Sequence, residues 1–312
     1  MIEAAPALVL EALLGYPDWL YRRLGHPVSW IGAVIDRLER RLNHPETPES
    51  RRRVAGVGTL AFAATCGAGF GLALQRIADR SGQPRALTAL FATPGLAQRS
   101  LHDHVAAVHR PLVDGDLPQA RTALARLVGR DVETLDSSGV ALAALESLAE
   151  SFGDGVVAPA FWLAVAGLPG LYAYKAINTA DSLIGHMEPR FRAFGWAAAR
   201  ADDLVNLIPA RIAAALIVLA GRGGWRTMWR DAPKHASPNA GWPEAAMAGA
   251  LIVRLGGPAA YDGVPADRPV FNEGAPAAAP KDLGRGLAIY RGACVLLIAG
   301  MVIYGLVRRR RP

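Results

Sequence analysis

The polar run Tyr174–Gly185, YKAINTADSLIG, follows directly after an apolar stretch of the chain. The side chains in it that can bind phosphate or orient a polar substrate are Lys175, Asn178, Thr179 and Asp181. A snorkelling lysine beside a helix cap is the simpler interpretation. Ionisable groups are costly at membrane depth, however, and they usually face a polar cavity there. The density of polar groups therefore favours a functional site.

A second polar run, ARADDLVNLIPAR, covers positions 199–211. Asn206 lies four and three residues beyond Asp202 and Asp203, which places all three on one face of a helix. Carboxylate and amide oxygens in this arrangement suit a Mg²⁺–phosphate site. The flanking guanidinium groups that could clamp phosphate or carboxylate oxygens belong to Arg200 and Arg211. An interfacial helix with acidic residues in its first turn is the alternative.

Three carboxylates, Glu146, Glu150 and Asp154, recur at intervals of four in ESLAESFGDG. On one helix face they repel each other unless a cation or a basic group compensates them. A Mg²⁺ bound through carboxylates and substrate phosphates would do so. A solvated acidic face is the alternative interpretation, but the glycines in this run favour a shaped helix end.

The turn-rich loop Pro233–Glu244, PKHASPNAGWPE, supplies His235, Ser237 and Asn239 as candidates for orienting a substrate. A lone histidine in a loop often has no chemical role. The chain contains neither a Walker A loop nor a GxGxxG run. Any phosphate binding is therefore not of the P-loop type.

These polar residues must be positioned by the apolar segments of the chain, several of which are long enough to enter a bilayer. They cover 4–20, 54–74, 156–174, 204–220 and 292–307. Because a spanning helix needs about 20 apolar residues, we predict an all-α integral membrane protein with four to five transmembrane helices. Long helical and irregular polar loops are expected to form one active site within a single membrane-embedded domain, 1–312. Prolines and glycines interrupt 156–174, which makes it the best candidate for a re-entrant segment.

The net charge of +7 gives a further indication of the partners. Arg51–Arg53 flank the first uninterrupted apolar run and Arg308–Arg311 flank the last, as expected of cytoplasmic anchors. Attraction to an anionic lipid bilayer accounts for the excess of arginine. Nucleic acid is not an expected partner, because the arginines are scattered and no basic strand carries interleaved aromatic residues.

Several polar motifs occur in one order along nearly the whole chain. They are Gly15–Pro17, His26–Gly32, Gly129–Asp131, Glu146–Phe161, Tyr174–Gly185, Phe194–Arg211, Ser237–Leu251 and Leu255–Gly263. In these motifs the chain resembles the adenosylcobinamide-phosphate synthases, integral-membrane enzymes of cobalamin biosynthesis (the CobD/CbiB family). It departs from the family pattern at Ser151, where asparagine is usual, and at Glu11, Ala160 and Ala180.

The resemblance implies an acid–amine ligase located in the cell (inner) membrane and crossing it several times. A carboxyl side chain of adenosylcobyric acid is joined in amide linkage to (R)-1-aminopropan-2-ol O-phosphate, or to aminopropanol, and ATP drives the step. Activation of a carboxylate is simplest as an acyl phosphate, and phosphoryl transfer relies on positioning and on cations. ATP and Mg²⁺ are the expected cofactors, with no tightly bound group. A homo-oligomer, or a complex with other corrinoid-pathway enzymes, is compatible with the sequence although no motif indicates either.

Residue roles under this resemblance follow from residue type and place. The predicted Mg²⁺ ligands are Glu150, Asp154, Asp202 and Asp203. The predicted phosphate contacts are Lys175, Arg200 and Arg211, with Asn178, Thr179, Asn206, Ser237 and Asn239 as further binding residues. The predicted catalytic set is Glu146, Glu150, Asp154, Lys175, Asp181, Asp203 and His235, in which one carboxylate or His235 takes the amine proton.

Two other classes of function remain open from the residues alone. A Mg²⁺-dependent membrane transferase of an alcohol phosphate also uses aspartates at the bilayer edge. Asp202-Asp203-x-x-Asn206 is weakly similar to the aspartate-rich motifs of such transferases. A corrinoid transporter or scaffold would show inverted repeats and broken helices. The sequence has no internal repeat, but the interrupted segment 156–174 fits the second criterion.

Overall fold

The chain is almost entirely helical in a computed structural model that describes residues 4–186, 188–261 and 263–309. The α-helices are α1 (Ala4–Leu14), α2 (Asp18–Leu24), α3 (Pro27–Leu42), α4 (Glu49–Asp79), α5 (Pro84–Ala92), α6 (Gln98–Val113), α7 (Leu117–Leu124), α8 (Ser137–Phe152), α9 (Ala158–Ile184), α10 (Trp196–Ala220), α11 (Trp225–Asp231), α12 (Gly241–Leu251) and α13 (Pro280–Arg309). Short 3₁₀ turns occur at Thr93–Gly95 and Ala232–Lys234, and a π-helical turn at Gly153–Val157 joins α8 to α9.

The strands form two small antiparallel pairs. The strands are β1 (Leu255–Gly256), β2 (Ala259–Tyr261), β3 (Val264–Ala266) and β4 (Val270–Phe271). Leu255 of β1 pairs with Phe271 of β4, and Ala260 of β2 pairs with Pro265 of β3. With so little sheet, the predicted all-α fold class is confirmed.

Within the described residues, four helical stretches are long and apolar enough to cross a membrane. They are Glu49–Asp79, Ser137–Ile184, Trp196–Ala220 and Pro280–Val307. The predicted segments 54–74, 204–220 and 292–307 lie inside α4, α10 and α13. The protein is therefore an all-α integral membrane protein. Arg310 and Arg311 of the last arginine cluster lie outside the described residues.

The apolar segment 4–20, the one of the five that carries acidic residues, is not a single helix. α1 ends at Leu14 and has 11 residues, which at 1.5 Å per residue is roughly half the thickness of the hydrocarbon core. Gly15 then takes a φ of 61°, and α2 begins only at Asp18. The positive φ and the adjacent Pro17 divide the apolar run into two short helices.

The segment 156–174 is interrupted inside α9, as its glycines and prolines predicted. Ala166 and Gly167 leave the helical region, and Gly167 has a φ of 67°. The N–H of Leu168, freed by this break, donates to Oε1 of Gln75 at 3.4 Å. A side chain that satisfies the exposed backbone allows a broken helix to persist in an apolar environment. Whether the segment is re-entrant stays a prediction.

The chain divides into two compact units. The first comprises Met1–Ala97, Ala158–Asn206 and Gly300–Pro312, and the second comprises Gln98–Val157 and Leu207–Ala299. Each unit is assembled from segments that are distant in sequence, so neither is a separate stretch of chain. The single-domain description of 1–312 stays a prediction.

In the first unit α4 lies directly against α9. A Cβ atom added at Gly67 would lie 2.4 Å from the carbonyl oxygen of Tyr172, and one added at Gly71 would lie 2.3 Å from that of Leu168. Gly56 approaches the carbonyl oxygen of Phe194 in the same way, at 1.8 Å. Small residues on one helix face allow such backbone contact between membrane helices. This packing holds the polar half of α9 at a fixed place in the unit.

In the second unit α8 is a central helix. Every residue from Ala143 to Ala149 is buried, including Glu146. Helices α6, α7 and α12 contact α8, as does strand β1. α12 is equally enclosed, and Glu244 in its first turn is fully buried. Two buried carboxylates on adjacent helices therefore need partners within the unit.

The α4–α9 contact predicts that alanine lowers the stability of the protein at one glycine of α4 but not at another. Gly67→Ala should lower the stability of the detergent-held protein by about 1–3 kcal/mol, because the new methyl group overlaps the carbonyl of Tyr172. Gly69→Ala is the matched control, since a Cβ atom there meets nothing within 4 Å. Thermal unfolding compares the two variants. Equal melting temperatures would contradict the described packing.

Candidate functional site

A group of polar side chains from α9 and α10 meets inside the first unit. We call it the amide–carboxylate cluster, and its members are Tyr174, Lys175, Asn178, Asp202 and Asn206. Nδ2 of Asn178 donates to Oδ1 of Asp202 at 3.3 Å, and Nδ2 of Asn206 donates to Oδ2 at 3.0 Å. The Tyr174 hydroxyl donates to Oδ1 of Asn206 at 3.1 Å. Both oxygens of the buried Asp202 carboxylate are therefore held by amides.

Lys175 lies half-buried beside this cluster. Its Nζ donates to Oδ1 of Asn178 at 3.4 Å. Burial, and then the positive charge of Lys175, lower the pKa of His26. His26 caps the start of α3, where its Nδ1 accepts the N–H of Val28 at 3.3 Å. The ammonium group is thus positioned by an amide and lies near a neutral histidine.

Other predicted residues of this unit have local partners. Arg200 and Asp203 form an ion pair at 3.2 Å, one turn apart on α10. The Thr179 hydroxyl donates to the carbonyl of Lys175 at 2.6 Å, which is a common bond for a threonine inside a helix. Asp181 is half-buried beside Gly185, whose N–H donates to the carbonyl of Asp181 at 2.7 Å. Arg200 and Asp203 remain accessible enough to meet a charged ligand.

The second unit contains a buried group of opposite charges. We call it the arginine–glutamate cluster, and its members are Arg130, Glu146, Glu244 and Arg268. Arg268 binds both carboxylates, with Nη1 2.8 Å from Oε2 of Glu146 and Nη2 3.2 Å from Oε2 of Glu244. Nη2 of Arg130 donates to the same oxygen of Glu146. Two guanidinium groups therefore compensate two carboxylates that the fold removes from water.

The loop that carries Arg268 is fixed to Glu146 by its backbone as well. The N–H of Gly256 donates to Oε1 of Glu146 at 2.8 Å. Gly256 has a φ of 79°, and a Cβ atom there would lie 2.0 Å from the carbonyl oxygen of Pro269. Only glycine fits this position without strain. Glu146 thus organises the polypeptide around it rather than facing solvent.

Glu244 is the least solvated of the acidic residues in the cluster. Its side chain is fully buried. Burial, and then the negative charges of Glu146 and Glu150, raise its pKa well above the usual range, although Arg268 and Arg130 oppose the shift. Within the described part of the chain, its Oε1 has no hydrogen-bond partner, and Nε2 of His235 lies 3.9 Å from this oxygen. Burial therefore extends the pH range over which Glu244 holds a proton.

His235 has one ring nitrogen engaged by its own loop. Its Nδ1 accepts the N–H of Ser237 at 3.0 Å, and the ring stacks on Phe271 with centroids 6.3 Å apart. Burial and then the charge of Arg268 lower the pKa of His235. With Nδ1 acting as an acceptor, the neutral ring carries its proton on Nε2. His235 therefore holds the loop in place and presents a donor.

Arg211, Asn239 and Ser237, all predicted to bind substrate, come together in the second unit. Nη1 of Arg211 donates to Oδ1 of Asn239 at 2.9 Å, and the guanidinium lies 4.7 Å from the ring centroid of Trp242. The Ser237 hydroxyl accepts the N–H of Asn239 at 3.2 Å. The amide and the indole orient Arg211, whose planar fork suits phosphate or carboxylate oxygens.

The predicted metal ligands are distributed between the units. Asp202 and Asp203 belong to the first unit, while Glu150 and Asp154 belong to the second, where Glu150 is exposed and Asp154 half-buried. Among the described residues, no group of three or more histidine, cysteine, aspartate or glutamate side chains is arranged to hold a metal ion. Mg²⁺ commonly takes one or two carboxylates together with phosphates and waters. The assignment of Mg²⁺ and of its ligands stays a prediction.

Sequence reasoning missed several residues of these clusters. Arg130 and Glu244 lie within the motifs GRD and SPNAGWPE, which carry the family resemblance. Examining every charged residue of these motifs could have found them. His26 begins the motif HPVSWIG in the same way. No sequence pattern indicated Arg268, because it lies in an irregular segment. Its contacts with Glu146 and Glu244 form only when the chain folds.

The fold defines an all-α integral membrane protein whose described residues include two buried polar clusters. A family model described as "CobD/Cbib protein" matches residues 4–290. A "Cobalamin biosynthesis protein CobD" from Rhodobacter capsulatus is 53% identical over 96% of this chain and 95% of its own length. Proteins of the same description from Rhizobium meliloti and Brucella suis are 44% and 42% identical, covering 93% and 97% of this chain and 92% and 96% of their own lengths. No solved structure matches the chain significantly.

The chain therefore belongs to the CobD/CbiB family. The resemblance inferred from its motifs is confirmed.

The buried charge network predicts a large and specific loss of stability. Glu146→Ala should cost about 3–5 kcal/mol, because it leaves Arg130 and Arg268 partly uncompensated in the interior. Glu133→Ala, at an exposed position, is the control and should change stability little. Chemical or thermal unfolding in detergent measures both. A Glu146→Ala protein as stable as the control would contradict the cluster.

Glu244 predicts a pH dependence of stability with a defined sign. Because its pKa is raised in the folded state, the folded protein retains a proton that the unfolded chain releases above its usual pKa of about 4.3. This group's contribution to stability is therefore full at low pH and declines as the pH rises toward the folded pKa, by about 1.4 kcal/mol per pH unit. Glu244→Gln removes this decline. As the pH rises from 4 to 8, the melting temperature of the Glu244→Gln variant should increase relative to that of the unsubstituted protein. Parallel melting curves of the two proteins across this pH range would contradict a raised pKa of Glu244.

Proposed function

We propose that this protein is an adenosylcobinamide-phosphate synthase, a biosynthetic enzyme of the cobalamin pathway. It would join a carboxyl group of adenosylcobyric acid to (R)-1-aminopropan-2-ol O-phosphate, or to aminopropanol, at the expense of ATP. The observation that carries the proposal is membership of the CobD/CbiB family over 4–290, with relatives described as cobalamin biosynthesis proteins. The polar clusters support it, because each contains cationic groups held in place by amides or carboxylates.

The proposed chemistry balances in two steps. An oxygen of the corrinoid carboxylate attacks the γ-phosphorus of ATP, so that an acyl phosphate forms and ADP leaves. The amine nitrogen then attacks the acyl carbon, inorganic phosphate departs, and the nitrogen loses a proton. Both steps develop negative charge on phosphate oxygens, and fixed cations lower their barriers.

Lys175, Arg200 and Arg211 are the proposed phosphate contacts. The Lys175 ammonium is oriented by Asn178, and Arg211 is oriented by Asn239. Lysine binds phosphate as a point charge, whereas arginine can engage two oxygens at once. Arg200 already pairs with Asp203 on an exposed surface, where such a pair contributes little and a phosphate can replace it.

Mg²⁺ would neutralise charge on the nucleotide phosphates, held by the predicted ligands Glu150, Asp154, Asp202 and Asp203. Asp202 differs from the others because amides of Asn178 and Asn206 occupy both of its oxygens. We assign Asp202 mainly to orienting these amides. The accessible carboxylates of Asp203, Asp154 and Glu150 are better suited to a hydrated ion.

The attacking amine must lose a proton, and a carboxylate is the best-suited acceptor. His235 was one candidate, but its Nδ1 lone pair is occupied by the N–H of Ser237. In the neutral ring the proton is then on Nε2, which lies 3.9 Å from the buried Oε1 of Glu244, so the imidazole serves as a donor. Glu146 and Glu244 are enclosed by the arginine–glutamate cluster. Asp203 and Asp181 remain as acceptors on the first unit.

We also propose a location in the cell (inner) membrane. If each of the four candidate spans crosses the bilayer once, the even number of crossings returns the chain to its starting side. Arg51–Arg53 at the first span and position 308 at the end of the last then lie on the same side, as expected of cytoplasmic anchors. A homo-oligomer or a complex with other corrinoid enzymes stays a proposal.

The proposal is tested with protein purified into nanodiscs and supplied with adenosylcobyric acid, aminopropanol phosphate, ATP and Mg²⁺. Mass analysis of the corrinoid should show the amide only when ATP is present, with one ATP consumed per amide. Release of pyrophosphate or a nucleoside monophosphate from an alcohol phosphate would instead favour the transferase. Movement of unmodified corrinoid across vesicles would favour the transporter.

Substitutions test the residue roles in the same assay. Lys175→Ala and Asp203→Asn should each lower the rate of amide formation about 100-fold or more, because each removes a charge proposed to act on the transferring phosphate. The matched controls are the exposed Lys281→Ala and Asp36→Asn, the second of which breaks a similar helical pair with Arg40. The controls should retain nearly the full rate. Full activity of either cluster variant, in protein that melts normally, would refute its role.

A further inference from the structure

A groove in the first unit, lined by none of the residues proposed to bind substrate or metal, has the composition of a lipid-binding site. It has a volume of about 630 Å³ and lies where α4 and α10 begin. Arginines line one part of it and valines another, and the residues that matter here are Glu49, Arg53, Val54, Val57, Arg192 and Trp196. We infer that this groove binds an anionic phospholipid, with the headgroup phosphate on Arg53 and Arg192 and an acyl chain along Val54 and Val57.

The basic part of the groove is preorganised. The guanidinium of Arg53 lies 3.8 Å from the ring centroid of Trp196, and this cation–π contact holds the charge at the groove wall. Arg192 lies in the segment that leads into α10. Its Nη2 is 3.0 Å from Oε1 of Glu49. Both side chains of that pair are more than half exposed, at 62% and 67%. Such a pair is weak in water and yields readily to a phosphate.

The apolar part of the groove continues along a candidate membrane span. Val54 is 72% exposed and Val57 46% exposed, both on the first turns of Glu49–Asp79. Between them in sequence, Gly56 packs against the backbone of Phe194. This contact brings the start of α4 close to the segment that leads into α10, and residues of both segments line the groove. An acyl chain laid on the valines would therefore run in the direction of the hydrocarbon core.

Charge and position together select the ligand. Tryptophan is typical of the membrane–water interface, and Trp196 is the first residue of a second candidate span. Arginines at this level attract anionic lipids of the cytoplasmic leaflet. A free nucleotide or phosphate would use the arginines but would leave the exposed valines unfilled. A phospholipid satisfies both parts of the groove.

Lipid titration followed by native mass spectrometry tests the inference on the full-length protein. Phosphatidylglycerol should bind more tightly than phosphatidylcholine with the same acyl chains. The double substitution Arg53→Gln/Arg192→Gln should weaken phosphatidylglycerol binding about tenfold or more. The control Arg80→Gln/Arg85→Gln removes the same charge from exposed positions at the other end of α4 and at the start of α5, and it should leave the affinity unchanged.

A second substitution tests the site even if the double variant folds poorly. Glu49→Gln removes the negative charge beside Arg192 and should tighten phosphatidylglycerol binding. Equal binding of both lipids, equal loss in the control, or weaker binding by Glu49→Gln would overturn the inference. Displacement of the lipid by an equal concentration of inorganic phosphate or ATP would also overturn it, because the groove would then be an anion site only.

Discussion

The close approach of α4 to α9 is the constraint on which the first unit depends. Gly67 and Gly71 place the α4 backbone against carbonyl groups of Tyr172 and Leu168. Those residues precede Lys175 and Asn178 on α9, so the same contact sets the position of the polar residues that follow. Membrane helices gain little from burying apolar surface against each other, and close packing of small residues is a principal source of their association. The chemistry proposed for α9 therefore rests on residues that have no functional groups.

The second unit depends on charge compensation instead. Glu146 and Glu244 lie on α8 and α12, and neither is accessible to water. Removing a charge from water is costly unless a partner and hydrogen bonds compensate it. Arg268 is a partner of both carboxylates. Burial alone would lower the pKa of Arg268, but the negative charges of the two glutamates outweigh burial and raise this pKa above its usual range. The cluster thereby selects one arrangement of α8, α12 and the loop that bears Arg268.

Much of the fold was predictable because its signals are local. Uncharged runs indicated α4, α10 and α13, and Gly167 with Pro169 indicated the break in α9. The run 4–20 is divided at Gly15, and composition alone does not indicate the positive φ of that residue. In the site, helical spacing correctly predicted that Asp202 and Asn206 lie together, and their side chains are hydrogen-bonded. The pairing of Arg268 with Glu146 joins residues 122 positions apart, and no local pattern encodes such a contact. His235 was one of the candidate proton acceptors, and its tautomer depends on a contact with the Ser237 N–H that the sequence does not reveal.

The central claim is that ATP activates the corrinoid carboxylate by phosphorylation. The most direct measurement starts with adenosylcobyric acid labelled with ¹⁸O in the reacting carboxylate, incubated with the nanodisc-held protein, aminopropanol phosphate, ATP and Mg²⁺. Mass analysis then follows the label. We predict that one ¹⁸O atom appears in inorganic phosphate for each amide formed. Label in a nucleoside monophosphate, or amide formed without transfer of label to phosphate, would contradict the account.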